Sequence, residues 1–229
     1  VNILTHSQDL LCRYDALFCD VWGVLHDGHT AYPGALRALK AFRNRGGCVV
    51  LLSNAPVPEE RVAQMLKDRK VDNDTWDGIV SSGRIALDLV KEKNFRKVYI
   101  IGPLERDKAF FSLLSANSVR LDEAEAIVCT GLVKDQTETV EDYKELLLKA
   151  ADLNLPFVCA NPDLVVDIQG QHYLCAGSLA EAYLSFGGEV LWAGKPFPEA
   201  YHRARLKAQE TLGRGISSKR ILAIGDGIR

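Results

Sequence analysis

The stretch "DALFCDVWGVLHDG", residues 15–28, decides the fold of this 229-residue chain. Its first part, residues 16–20, is a short apolar run that has the length of a β-strand and ends on Asp20. Glycines and polar residues follow, as they do where a buried strand gives way to a loop. The stretch therefore predicts an internal strand with a carboxylate at its carboxyl end.

Five further apolar runs predict additional parallel strands, and the middle ones, from about residue 80 to 185, belong to an inserted lobe that is also α/β. They alternate with helical patterns, such as residues 140–151 and residues 33–47, where Leu36, Leu39 and Phe42 recur at helical spacing. This alternation is typical of β-α-β units, and continuously apolar strands indicate a sheet covered on both faces. The predicted strands are residues 16–20, 48–53, 98–101, 126–130, 157–160 and 220–224.

Composition and charge point to a small-molecule partner. The chain has 28 basic and 30 acidic residues without blocks of like charge, so we expect no nucleic-acid or membrane partner. No apolar stretch is long enough to span a bilayer and no signal sequence is recognisable, so we expect a cytoplasmic protein. The six cysteines are scattered, and most lie in apolar runs, which favours buried, reduced thiols over a disulfide framework.

Three of the predicted strands end on polar side chains. Asp20 ends the first, Ser53 and Asn54 end the second, and Asp226 follows the last. In open parallel sheets, ligands bind beyond the carboxyl ends of the strands. We therefore expect these side chains to converge on one crevice, although they lie far apart in sequence.

Other common ligand motifs are absent or weak. There is no glycine-rich P-loop, and the segment "TLGRGIS" (residues 211–217) precedes a predicted strand, whereas a dinucleotide fingerprint follows one. His26 and His29 in "HDGH" have the spacing of metal ligands, but we interpret this segment as a polar loop.

Four segments carry a resemblance to a known family. "DVWGVLHDG", "LLSNAP", "GKPFPEAYHRA" and "ILAIGDG" occur in the order, and at about the separation, of the four motifs of the haloacid dehalogenase superfamily of phosphatases. "ANPDLVV" and "CAGSLAEAY" resemble the cap of its subfamily IIA, which contains the NagD-type sugar and nucleotide phosphatases, 4-nitrophenylphosphatase and pyridoxal phosphatase.

The resemblance implies an α/β fold, with a Rossmann-like parallel-sheet core and an inserted α/β cap domain. The core is expected at residues 1–79 and 186–229, and the cap at residues 80–185. The family pattern continues with another acidic residue after the last motif, so we expect either that further core sequence follows Arg229 or that the metal site is incomplete. The family also suggests a homodimer.

The resemblance implies a Mg²⁺-dependent phosphatase for a small phosphorylated metabolite, such as a sugar phosphate or a nucleotide. Asp20 would attack phosphorus and form an aspartyl phosphate. Ser53 and the backbone N–H of Asn54 would hold the phosphoryl oxygens, and Lys195 would neutralise their charge. Asn161 of the cap segment is a further predicted substrate contact.

The predicted metal ligands are oxygen atoms. They are the carboxylates of Asp20 and Asp226 and, by the resemblance, the main-chain carbonyl of Trp22. A main-chain ligand does not depend on the side chain at its position, so the tryptophan does not by itself abolish a magnesium site.

Trp22 departs from the family pattern. In most members this position is an aspartate that protonates the leaving group and then activates water. Three replacements for this general acid stay open. Asp163 of the cap, which is also a predicted substrate contact, could supply the proton, or His26 or Asp27 of the adjacent loop could do so. Alternatively, the substrate could have a leaving group acidic enough to depart unaided. Two other functions also stay open. One is a phosphotransferase or hydrolase limited to activated phosphates, and the other is a non-catalytic protein that binds phosphate and metal.

Overall fold

The computed structural model describes residues 8–168 and 170–227, which form two compact units. The first unit comprises the described residues of Val1–Ser53, Ala63–Val80 and Tyr201–Arg229, and the second comprises Asn54–Val62 and Ser81–Ala200. Residues 186–200, which the sequence analysis assigns to the core domain, group with the second unit. The domain boundaries drawn from the sequence stay predictions.

The described residues contain eleven β-strands and eight α-helices. The strands are β1 (Ala16–Asp20), β2 (Cys48–Ser53), β3 (Gly78–Ser81), β4 (Lys97–Ile101), β5 (Asn117–Ser118), β6 (Ala126–Cys129), β7 (Phe157–Cys159), β8 (Val165–Ile168), β9 (Gln171–Leu174), β10 (Val190–Trp192) and β11 (Ile221–Ile224). The helices are α1 (Gln8–Leu11), α2 (Pro33–Asn44), α3 (Glu59–Asp68), α4 (Ser82–Glu92), α5 (Lys108–Phe111), α6 (Lys144–Asp152), α7 (Ala176–Ser185) and α8 (Pro198–Leu212).

The first unit contains a four-stranded sheet in the order β11-β1-β2-β3. Strand β1 pairs in parallel with both of its neighbours, and Cys19 lies opposite Leu51 on one side and Ile224 on the other. The first four residues of β1 are buried, as the continuous apolar run predicts. Helix α2 begins with a proline, buries Leu39 and Phe42, and ends before two glycines.

The second unit contains a five-stranded sheet in the order β10-β7-β6-β4-β5, and all of its strand pairs are parallel. Helices α6 and α7 pack together, and their apolar faces join the side chains of the sheet in one core. The large side chains of this core that are fully buried are Ile101, Ile127, Leu132, Leu147, Phe157 and Tyr183.

The parallel sheets confirm the predicted α/β fold class. The strand bounds differ from the predicted ones by at most one residue, and the helix predicted at residues 140–151 begins as a 3-10 helix (Val140–Tyr143) before α6. Within residues 8–168 and 170–227, no helix combines the length and apolar character needed to cross a bilayer.

Strands β3 and β5 and the antiparallel hairpin formed by β8 and β9 escaped sequence prediction. Val165 and Ile168 are exposed, at 43% and 38%, so the hairpin shows no continuous apolar run. The signal that marks it is Gly170, which adopts a positive φ of 78° at the turn.

We predict that Tyr183→Phe destabilises the protein. The buried Tyr183 hydroxyl donates a hydrogen bond of 2.6 Å to the carbonyl of Leu155. Its loss leaves that carbonyl without its partner and is expected to lower the free energy of unfolding by about 1–3 kcal/mol. In the control Tyr173→Phe, the lost hydrogen bond to Gln171 is exposed, so the expected change is within about 0.5 kcal/mol. Urea unfolding of both variants tests this, and equal losses would contradict it.

Candidate active site

The ends of three parallel strands bring Asp20, Ser53 and Asp226 to one edge of the first unit's sheet. Asp20 is the last residue of β1 and lies opposite Leu52, so Ser53 follows one residue further along β2. Asp226 lies two residues beyond the end of β11, the other neighbour of β1. The structure therefore brings together the three strand-end groups of this unit that the sequence analysis singled out.

Glycines allow the two carboxylates to approach the backbone closely. A Cβ atom on Gly23 would lie 2.1 Å from Oδ2 of Asp226, and Gly23 has a positive φ of 78°. A Cβ atom on Gly225 would lie 3.9 Å from Oδ2 of Asp20. Asp226 thus packs on the peptide that follows Trp22, and Asp20 lies beside the residue that precedes Asp226.

These groups match the oxygen ligands that Mg²⁺ prefers. The set consists of two carboxylates and the main-chain carbonyl of Trp22, and Mg²⁺ usually takes few protein oxygens and completes its shell with water and phosphate. Within the described part of the chain, no three or more His, Cys, Asp or Glu side chains are grouped to hold a metal. The predicted set needs only two such side chains, and its chemistry fits the ion.

His26 lies in the loop after β1, and its side chain is buried within that loop. It is only 3% exposed, and its Nδ1 accepts a hydrogen bond of 2.9 Å from the N–H of Gly28. Burial, and after it the positive charge of Arg69, lowers the pKa of His26 to about 4. His26 is therefore a neutral, internal residue at physiological pH.

Asp27 and His29 are exposed, but the Asp27 carboxylate is engaged by its own loop. Its Oδ1 accepts hydrogen bonds from the N–H of Thr30 at 2.7 Å and of His29 at 2.9 Å. These bonds, that of Thr30 foremost, lower the pKa of Asp27. The carboxylate is ionised and closes the turn.

In the second unit, the side chain of Asn54 binds two other predicted site residues, Asp163 and Lys195. Its Nδ2 donates hydrogen bonds to Oδ1 of Asp163 at 3.0 Å and to the carbonyl of Lys195 at 2.9 Å. Its Oδ1 accepts a bond of 2.8 Å from the N–H of Lys195. The amide therefore binds both backbone groups of Lys195, as a neighbouring strand would, and holds a carboxylate as well.

Two further contacts support this network. Gly194 has no room for a side chain, because a Cβ atom there would lie 2.6 Å from Oδ1 of Asn54. The side-chain oxygen of Asn161 accepts a bond of 3.1 Å from the N–H of Asp163 and orders that turn. The structure thus groups Asn54, Asn161, Asp163 and Lys195 in the second unit.

Sequence reasoning missed two residues of the first unit. Burial raises the pKa of the Tyr201 hydroxyl, and the negative charge of Asp20 raises it further, so this phenol lies within electrostatic range of Asp20. Arg69 donates from Nε to the carbonyl of Gly28 at 2.8 Å and so anchors the loop after β1. Tyr201 lies in the quoted segment "GKPFPEAYHRA", whereas no sequence pattern marks Arg69.

Comparison with known proteins places the chain in a family. A sequence model of the haloacid dehalogenase-like hydrolases matches residues 17–112. A crystal structure of a haloacid dehalogenase-like hydrolase from Brucella suis is 40% identical, covers 98% of this chain and 82% of its own, and superposes with a TM-score of 0.91. The chain belongs to the haloacid dehalogenase-like hydrolases.

More distant relatives of this hydrolase are phosphatases. The ribonucleotide monophosphatase NagD of Escherichia coli is 25% identical over 93% of this chain and 80% of its own. Glycerol phosphate phosphatase from Mycobacterium tuberculosis, in complex with magnesium, shares the fold at a TM-score of 0.63 and 24% identity, over 86% of this chain and 60% of its own. The predicted enzyme class and the resemblance to the NagD branch are confirmed. The roles of the site residues stay predictions.

We predict that Asn54→Ala destabilises this hydrolase, because it removes the partner of the Lys195 N–H and of the Asp163 carboxylate. The expected fall in the free energy of unfolding is about 1–3 kcal/mol. Asn44, exposed at the end of α2, provides the matched control, and Asn44→Ala should change stability by no more than about 0.5 kcal/mol. Urea unfolding followed by circular dichroism tests the pair. A small effect at both positions would show that the Asn54 network does not stabilise the fold.

We predict that His26 makes the hydrolase less stable in acid. Its pKa is about 4 in the folded protein against an ordinary value of 6.5, so between these values the unfolded chain binds the additional proton. The free energy of unfolding should fall as the pH is lowered through this range, by at most about 3 kcal/mol. His26→Asn keeps an acceptor for Gly28 and should lose this part of the pH dependence. Urea unfolding at pH 7, 6, 5 and 4 measures it, and parallel curves for both proteins would contradict the assignment.

Proposed function

We propose that the chain is a Mg²⁺-dependent phosphatase that hydrolyses a phosphate monoester of a small metabolite through an aspartyl phosphate on Asp20. The observation that carries the proposal is the arrangement at the sheet edge. A strand-end carboxylate, Asp20, lies beside Gly225, and a second carboxylate, Asp226, packs on the Trp22–Gly23 peptide. Ser53 ends the adjacent strand.

Asp20 is suited to the role of nucleophile. It lies at the end of a buried strand that is paired on both sides, so its backbone has little freedom to move. Its Oδ1 accepts a hydrogen bond of 2.7 Å from the N–H of Val21, which orients the carboxylate. A carboxylate held in this way attacks phosphorus and splits one displacement into two easier steps.

The other predicted residues would stabilise the charge of the phosphoryl group. Ser53 would donate a hydrogen bond from its hydroxyl, and the Lys195 ammonium would offset negative charge. Asn54 acts on Lys195 by binding both of its backbone groups. In this proposal, Asn54 is a positioning residue for Lys195, in addition to the phosphate contact predicted for its backbone N–H.

Asp20, Asp226 and the Trp22 carbonyl would hold the magnesium ion. When bound, the ion would neutralise the charge that two carboxylates and a phosphate bring together. Support comes from the donor set and from the glycerol phosphate phosphatase of the same fold, whose structure contains magnesium. The cytoplasmic location and the homodimer expected from the sequence stay proposals.

The test is magnesium-dependent phosphate release from a panel of sugar phosphates, nucleoside monophosphates, glycerol phosphate, aryl phosphates and acyl phosphates. Asp20→Asn removes the nucleophile and should lower turnover by about 10³-fold or more. EDTA should stop turnover, and added Mg²⁺ should restore it.

Asp68→Asn is the matched control for this substitution. Asp68 is exposed, ends α3 and bonds only to Gln64 among the described residues, so this variant should keep full activity. Phosphate release that persists in Asp20→Asn would show that Asp20 is not the nucleophile. Release that is insensitive to EDTA would exclude the metal.

A further inference from the structure

The guanidinium of Arg69 joins the loop after β1 to the end of α3. Its Nε donates a hydrogen bond to the carbonyl of Gly28, and its Nη1 donates one to the carbonyl of Met65, each at 2.8 Å. Met65 lies in the last turn of α3, where carbonyls have no partner in a following turn. The planar guanidinium fixes the angle between its two charge-assisted bonds. One side chain therefore holds the Gly28 backbone at a set position relative to the helix end.

The backbone that carries Arg69 is also fixed. Helix α3 ends in a Schellman motif, in which the N–H of Val71 donates to the carbonyl of Leu66 at 3.0 Å and the N–H of Lys70 donates to that of Lys67 at 2.9 Å. Lys70 adopts the positive φ of 61° that the motif requires, and Val71 is fully buried. Arg69 is the last residue before this turn, so its side chain starts from a defined position.

Two hydrogen bonds continue from Gly28 to the peptide between Trp22 and Gly23. The N–H of Gly28 donates to Nδ1 of His26 at 2.9 Å, and the N–H of Gly23 donates to the carbonyl of His26, also at 2.9 Å. In a planar trans peptide, the carbonyl points away from the N–H. The bond from Gly23 to His26 therefore sets the direction of the Trp22 carbonyl.

The proposed magnesium ligands meet at this peptide. The Trp22 carbonyl is the predicted main-chain ligand, and the Asp226 carboxylate packs on Gly23, where a Cβ atom would overlap its Oδ2. Mg²⁺ demands nearly ideal octahedral geometry and short bonds to its ligands. A change in the direction of the Trp22 carbonyl would therefore weaken the binding of the ion.

We propose that Arg69 is a positioning residue for the magnesium site. It fixes Gly28 and, through His26, the direction of the Trp22 carbonyl, and it acts through the loop backbone without touching the ion. This inference rests on the proposed function and adds a residue to its metal site. Loss of a group that orients a metal ligand typically weakens metal affinity by about 10–100-fold.

Metal binding to the free protein tests the proposal without substrate. Mn²⁺ binding is followed by electron paramagnetic resonance of the free ion, and displacement by Mg²⁺ gives the Kd for Mg²⁺. In Arg69→Met, this Kd should rise by about 10–100-fold. The Mg²⁺ concentration at half-maximal phosphate release should rise by the same factor. Excess Mg²⁺ should recover most of the turnover, because the variant retains Asp20.

Arg43→Met is the matched control for the loss of an arginine from the same unit. The partly buried Arg43 donates two hydrogen bonds to Oδ1 of Asp77, whose Oδ2 accepts from the N–H of Val49 near the start of β2. This is the end of β2 opposite to Ser53. Arg43→Met should lower the urea midpoint of unfolding and leave the Kd for Mg²⁺ unchanged.

Arg69→Lys keeps the charge and a donor but loses the rigid geometry of the guanidinium. Its Kd for Mg²⁺ should lie between those of the wild type and Arg69→Met, and it provides the test if Arg69→Met does not fold. A wild-type Kd in every folded Arg69 variant would overturn the inference. Equal rises in Kd for Arg43→Met and Arg69→Met would also overturn it, since they would reflect a general loss of stability.

These two outcomes leave the proposed function intact. A wild-type protein that neither binds Mg²⁺ nor requires it for phosphate release would instead reject the magnesium site itself, and the inference with it.

Discussion

The parallel pairing of β1 with β2 on one side and β11 on the other is the constraint on which the candidate site of the first unit depends. Hydrogen bonds on both edges fix the register of β1, so the position of Asp20 follows from the backbone. Because all three strands run in the same direction, Ser53 and Asp226 reach the same edge. Strand pairing thus brings residues separated by more than 200 positions to the same edge.

In the second unit, the corresponding constraint is the hold that Asn54 has on the backbone of Lys195. The Asn54 amide binds both the N–H and the carbonyl of Lys195, so this contact does not involve the lysine side chain. The amide of Asn54 is nearly buried, and a buried polar group needs hydrogen-bond partners. Both its oxygen and its nitrogen have such partners. Gly194 is part of the same arrangement, since any side chain there would displace the amide oxygen.

Sequence reasoning reached the fold class and the strand ends because both depend on local signals. Continuous apolar runs indicate the buried strands, and the polar residue at the end of a run indicates a candidate site residue. It did not reach the hairpin of β8 and β9, whose strands are half exposed and carry no such run. It also did not predict the burial of the His26 side chain, because the neighbours that bury an imidazole belong to the folded loop and are not evident from "HDGH". The contacts of Asn54 with Asp163 and Lys195 join residues more than 100 positions apart, so no local sequence pattern predicts them.

Trp22 shows how one side chain can determine the residues around it. A bulky indole directly after a strand end needs space on one face, and Gly28 supplies that space because even a methyl group would meet the ring. Two hydrogen bonds hold the backbone of Gly28. Arg69 donates one to the Gly28 carbonyl, and the Gly28 N–H donates the other to His26. To serve as that acceptor, the imidazole must be neutral with its proton on Nε2; burial favours the neutral form, and the hydrogen bond from Gly28 selects the nitrogen. The packing of the indole on Gly28 and the burial of His26 are therefore parts of one arrangement of the loop.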